Sequence, residues 1–169
     1  MRMMNILLAM ALAPIAATAQ EAAPQPPSQE QVTAPSPMAT AIAQTSFITN
    51  KKPSTEAKYY MYLASASWCG PCRRVTPALV GEYPNMMANK EVEVILLSCD
   101  RTPEAAQKYL EHYNAPFAAV MYGSPEAAKL PGCPTDIRGI PHIVLVDASG
   151  KLIYRGHGLR FAEWKLQIQ

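Results

Sequence analysis

The strongest constraint on this chain is "KYYMYLASASWCGPCRRVTPALVGEY", residues 58–83. From Lys58 to Ser67 it is apolar or small with no helix breaker, and Tyr59, Tyr60 and Tyr62 favour extended backbone. An apolar run with almost no alternation predicts a strand buried on both faces. After Cys72 the period changes: Val75, Leu79 and Tyr83 can share one helical face, and Pro77 inside that pattern is expected to kink it. A buried strand thus passes into a helix across Trp68-Cys69-Gly70-Pro71-Cys72.

The downstream elements follow the same alternation. "VEVILLS" (92–98) is a second strand. Thr102-Pro103-Glu104 is a helix start, with an N-cap hydroxyl, a proline in the first turn and an acid at the positive dipole end. That helix is expected to run to about Tyr113. Ser124-Pro125-Glu126 repeats the signal for a shorter helix through Leu130. "IPHIVLVD" (140–147) is a third strand, "DASGK" a turn and "KLIYRG" a fourth strand, which together make a hairpin. At the end, Phe161, Trp164 and Ile168 are spaced to place one helix face on a sheet. The order β-α-β-α-α-β-β-α predicts an α/β sandwich with parallel units first and an antiparallel hairpin last. No internal repeat is visible.

The first nineteen residues are of another kind. Arg2 precedes an apolar stretch from Ile6 to about Ala13, and Ala17-Thr18-Ala19 supplies small residues at a cleavage site. Residues 1–19 therefore read as a secretory signal peptide cut after Ala19, which implies a periplasmic or secreted protein. The apolar part is too short to span a bilayer comfortably, so no stable membrane span is expected in the mature chain. Residues 20–45 are rich in Pro, Ala, Gln, Ser and Thr and are expected to form a flexible tether, with the folded domain at 46–169. The formal net charge of +2 gives no field that would draw the chain to nucleic acid.

Three chemistries use a C-x-x-C. A structural zinc site needs a second pair at similar spacing, and Cys99 and Cys133 have no Cys or His three or four residues away, so no metal is expected. A structural disulfide across two residues removes little chain entropy. A redox dithiol remains. Cys69 would lie at or just before the helix N-terminus, where unpaired N–H groups and the dipole draw a cysteine pKa from about 8.5 toward neutrality or below. Cys69 would attack a substrate disulfide, and Cys72, a turn inward and shielded, would resolve the mixed disulfide. Gly70 lets a substrate approach, Pro71 suits a helix first turn, and Trp68 can cover one side. No cofactor is needed beyond the Cys69–Cys72 pair.

"WCGPC" is the active-site sequence of thioredoxins, and the chain resembles that superfamily from about Phe47 to Trp164. Pro77, five residues after Cys72, matches the kinking proline of the active-site helix. "GIP" at Gly139–Pro141 resembles the cis-proline segment, where the backbone at Ile140, before Pro141, pairs with substrate. "YLASASWCGPCRR", "VILLSCDRTPEAAQKYL" and "GIPHIVLVDASGKLI" look most like the nucleoredoxin and tryparedoxin-like branch. The resemblance implies a three-layer α/β/α thioredoxin-like fold with a central mixed sheet, a C-terminal hairpin and a terminal helix. It implies an exported thiol-disulfide oxidoreductase that reduces protein disulfides and exchanges electrons with an upstream thiol donor or acceptor. A disulfide oxidase or isomerase, or a non-catalytic binding module, are the alternatives. Two departures stand out. Leu63 occupies the place, six residues before Cys69, where thioredoxins carry a buried acid. Cys99 and Cys133 are additional, and could be free thiols or a disulfide near the site. His142, directly after Pro141, is a candidate modulator of the Cys69 thiolate. Asp100 and Arg101 read as caps or surface pairs.

Overall fold

The computed structural model describes residues 34–88 and 91–168, the side chains of 159–162 excepted. The segments expected to be a signal peptide and, as far as residue 33, a tether lie outside the described residues, as does the side chain of Phe161. The strands are β1 (Tyr59–Ser65), β2 (Val92–Ser98), β3 (Ala118–Met121), β4 (His142–Asp147) and β5 (Leu152–His157). They form one sheet in the order β3-β2-β1-β4-β5. The central strand β1 pairs parallel with β2, Tyr59 opposite Val92 through Ser65 opposite Ser98. On its other side it pairs antiparallel with β4, Ala64 opposite His142.

The buried run of β1 has cover on both faces, as its composition requires. Met61 and Leu63 point to one face with Val94, Leu96, Ile143 and Leu145, against Val75, Leu79 and Met86 of α2 (Cys72–Met87) and Tyr109 and Leu110 of α3 (Pro103–His112). Tyr60, Tyr62 and Ala64 point to the other with Ile95, Leu97, Val144 and Val146. Each fully buried side chain of this size contributes ~1.5–3 kcal/mol from removal of apolar area from water. The result is the three-layer α/β/α sandwich expected.

The second face corrects the expected tether. Residues 37–44 form a helix, α1 (Pro37–Gln44), that buries Met38, Ala41 and Ile42 against Tyr60 and Tyr62. Ser36 Oγ caps it by accepting the Ala39 N–H at 3.1 Å, with Pro37 at the first helical position. The folded domain therefore includes α1 from Pro37, ahead of the expected boundary at residue 46. The physical reason is cover: α4 (Pro125–Ala128) has only four residues and cannot shield that face alone.

Two smaller corrections follow. The four-residue edge strand β3, parallel to β2, lies where only a connection was expected. It is Ala-rich and short, so its extended form comes from the edge of β2 on one side and from the Ile48 N–H, which donates to Ala119 O at 2.8 Å, on the other. The terminal element is a 3₁₀ helix, Gly158–Gln167, and not the α-helix its spacing suggested. It still buries Trp164 in the first core, with Ile168 packed against the same cluster.

The β4–β5 turn behaves as "DASGK" predicts. Asp147 Oδ1 accepts from Ser149 N, Ser149 Oγ and Lys151 N, and Gly150 supplies φ +90°. A Cβ on Gly132 (φ +68°) would collide with the Gly150 carbonyl. This close approach anchors the loop that leads to Ile140.

Candidate active site

Cys69 and Cys72 form a disulfide, with Cα atoms 5.2 Å apart, where β1 gives way to α2. The turn is built from the backbone: Cys69 N–H donates to Ala66 O at 3.2 Å, and Cys69 O accepts from Arg73 N at 3.1 Å. Cys69 thus supplies the first acceptor of the helix. Its Sγ also accepts the Cys72 N–H at 3.3 Å, one of the N–H groups that a helix start leaves without an internal partner. Cys72 is fully buried and Cys69 is 6% exposed, so attack from solvent reaches Cys69 first. Gly70 is open, with nothing within 4 Å of a Cβ placed there. Pro71 is the residue just before α2, in helical conformation, and Trp68 is 66% exposed.

Ile140 and Pro141 reach the site from the other direction. Their peptide bond is cis, and Ile140 O lies 3.8 Å from Cys69 Sγ. Ile140 and Cys99 pack against the small cluster of Ala66, Cys69 and Cys72. The turn, the helix start and the Ile140 loop are therefore brought together as expected. Pro77 and Pro84 both lie inside α2. Pro77 has no N–H for the carbonyl of Arg73, and the Tyr113 hydroxyl donates to that carbonyl at 3.3 Å.

Two supporting groups escaped the sequence reading. Asp100 is neither a helix cap nor a surface pair. It is 7% exposed, and its carboxylate accepts from Ser67 Oγ at 2.6 Å, Ser98 Oγ at 3.0 Å and Ser67 N at 3.1 Å. It clamps the turn before Trp68 to the end of β2. Thr102 caps α3 instead, accepting from Ala105 N at 3.2 Å. The second group is Tyr109, whose hydroxyl bridges Thr76 Oγ1 at 2.7 Å and Ser65 Oγ at 3.2 Å. Thr76 is one turn after Cys72 on α2, and Ser65 ends β1. Leu63, in the place of the missing acid, is fully buried in the first core. Burial raises the Tyr109 hydroxyl above its ordinary value, so it stays protonated. The signal for Asp100 was its place just after a buried strand; for Tyr109, its place on the inner face of α3.

The candidate modulators separate. His142 Nε2 accepts from Arg155 Nε at 3.1 Å, and Arg155 grips Asp136 through two nitrogens at 3.0 and 2.7 Å. Burial, then the Arg155 charge, hold the imidazole below its usual pKa. Among the described hydrogen bonds its ring partner is thus Arg155 and not a sulfur. Cys99 and Cys133 are both half-buried free thiols, which corrects the possible disulfide. Both pack on the second core face, and Cys99 also packs on the dithiol cluster; burial pushes the Cys133 thiol up to about 12.

A strand–turn–helix dithiol beside a cis-proline loop, on this sheet order, defines a thioredoxin-like protein. A model of the family described as Thioredoxin-like matches residues 56–152, and the chain belongs to that family. Its similarity lies in the nucleoredoxin and tryparedoxin branch. It is 36% identical over 89 residues to "Probable nucleoredoxin 1" of Arabidopsis thaliana, covering 53% of this chain but only 15% of that protein. The thiol:disulfide interchange protein HelX of Rhodobacter capsulatus is 29% identical over 92 residues, 53% of this chain and 47% of HelX. Among solved structures, tryparedoxin II from C. fasciculata superposes with a TM-score of 0.55 at 27% identity, covering 70% of this chain and 86% of that one.

Proposed function

We propose that this chain is an exported thiol-disulfide oxidoreductase that reduces disulfides in other proteins. The observation that carries the reading is the Cys69–Cys72 pair at the start of α2, with the Cys72 N–H on Cys69 Sγ and Cys72 fully buried. In the reduced protein the same N–H and the helix dipole favour the Cys69 thiolate. That thiolate attacks one sulfur of the substrate disulfide; the Cys69–substrate bond forms, and the leaving sulfur departs as a thiolate that takes a proton. Cys72 then loses its proton and attacks Cys69 Sγ. The second substrate sulfur leaves, and the Cys69–Cys72 disulfide closes. Two electrons pass to the substrate, and a thiol donor returns two to the protein. Ile140 O, beside Cys69 Sγ, offers an acceptor to the backbone of a bound substrate. The cysteine pair carries the electrons itself, and the Gly-Pro dipeptide leans toward reduction.

Insulin reduction with dithiothreitol as donor tests the activity, and titration against glutathione tests the direction. Turnover that is lost in Cys69→Ser, with a potential near that of thioredoxin, about −270 mV, is expected. A potential near −120 mV or so, with no insulin reduction, refutes the reductase reading in favour of an oxidase. Export rests on residues 1–19; recovery of a mature chain starting at Gln20 from the periplasm or medium supports it, and an intact Met1 in the cytosol refutes it.

A further inference from the structure

Two depressions lie side by side next to the dithiol, sharing Ser67 and Ala105. The first, about 580 Å³, is lined by Trp68, Cys99, Asp100 and Arg101. The second, about 420 Å³, is lined by Arg73, Lys108, His112 and Tyr113. Cys99 in the first packs against the Cys69–Cys72 cluster, and Trp68 and Arg73 flank the two cysteines in sequence, so the groove borders the dithiol. Its open wall is the exposed indole of Trp68.

The exposed charged side chains that line this groove are all basic. Arg73, Arg101 and Lys108 are exposed, and Arg74 follows Arg73 on the same exposed turn. Among the described residues Arg73, Arg74 and Arg101 enter no ion pair. Lys108 is partly offset by Glu104. The carboxylate lining the groove, Asp100, is buried, with both oxygens taken by Ser67 and Ser98. The whole chain carries only +2, so this is a local concentration of charge beside the dithiol. Guanidinium groups without partners at the mouth of a groove select carboxylates, and they act on encounter rate and on the choice of partner.

We infer that the disulfide substrate is a polypeptide with acidic side chains close in sequence to its reactive cysteine, laid along Trp68, Arg101 and Arg73. The inference rests on the reductase reading, and the chemistry is the same two-electron exchange. The test uses the mature, reduced protein and second-order rate constants for oxidation by three disulfides. These are neutral hydroxyethyl disulfide and two cystine peptides of equal length, flanked by Glu or by Lys. At about 50 mM salt the Glu peptide reacts about tenfold faster than the Lys peptide, and about 0.5 M salt removes most of the difference. In the Arg73→Glu, Arg101→Glu double variant the order of the two peptides inverts. Equal rates in the unmodified protein, or an unchanged order in the double variant, overturn the inference alone. Failure of the unmodified protein to reduce hydroxyethyl disulfide as well refutes the reductase reading, and the inference falls with it.

Discussion

Replacing Asp100 with alanine removes the acceptor for three donors: Ser98 Oγ at 3.0 Å, Ser67 Oγ at 2.6 Å and Ser67 N at 3.1 Å. A hydrogen bond to a charged group contributes about 1.5–3 kcal/mol net. Ser98 is 1% exposed, so no water replaces the carboxylate there and its bond is lost in full. Ser67 is half-exposed, so water recovers part of the other two. The cost of burying the carboxylate itself is returned, which subtracts from the total. The balance is a loss of about 3 kcal/mol. Urea unfolding of the oxidised protein, followed by tryptophan fluorescence, measures it. With a slope of about 1.5 kcal/mol/M, the midpoint falls by about 2 M with the slope unchanged. Asp100→Asn keeps the shape and one acceptor and loses about half as much. A loss under about 0.5 kcal/mol in the alanine variant would refute the clamp, since that is what an exposed surface residue costs.

Tyr109→Phe strands two fully buried hydroxyls, Ser65 and Thr76, and is expected to lower stability by about 2 kcal/mol in the same assay; a loss below about 0.5 kcal/mol means the bridge contributes nothing. Ile42→Ala, in what was expected to be a tether, is expected to cost about 2–4 kcal/mol because Ile42 is 2% exposed in the second core; a tether residue would cost nothing measurable. Burial raises the Cys133 thiol to about 12, so in the oxidised protein at about pH 8 its thiolate fraction is on the order of 10⁻⁴. Its alkylation, followed by peptide mass spectrometry, should be correspondingly slow and climb about tenfold per pH unit; reaction at the rate of a free cysteine would contradict the burial. The unfolded chain gives up that proton first, near pH 8.5 or so, so the same shift contributes stability below that pH that is lost as pH rises toward about 12.

The sites of legibility and failure have physical causes. β1, the turn and α2 were readable because one apolar run changes period at the cysteines, and no other segment competes for that pattern. β2 was readable to its ends, Val92–Ser98, for the same reason. α1 is masked by the prolines around it, although Ser36-Pro37 is the same N-cap and first-turn pair as Thr102-Pro103 and Ser124-Pro125. β3 carried no period at all, since its pairing is decided by the free edge of β2. His142 follows Pro141 directly, and only packing revealed Arg155 as its partner from the next strand.

Sequence alone determined the chemistry of this protein. The spacing of Cys69 and Cys72, the strand before them, the helix after them and the Ile140-Pro141 segment downstream are local patterns, and local patterns are written in neighbouring residues. Tertiary structure decided what surrounds that chemistry. Asp100, Tyr109, Cys99 and Arg101 lie tens of residues from the Cys69–Cys72 pair and on other elements, and their roles depend on which faces meet across the sheet. Burial, hydrogen-bond partners and the summing of charge are properties of that meeting, and no run of neighbouring residues encodes them.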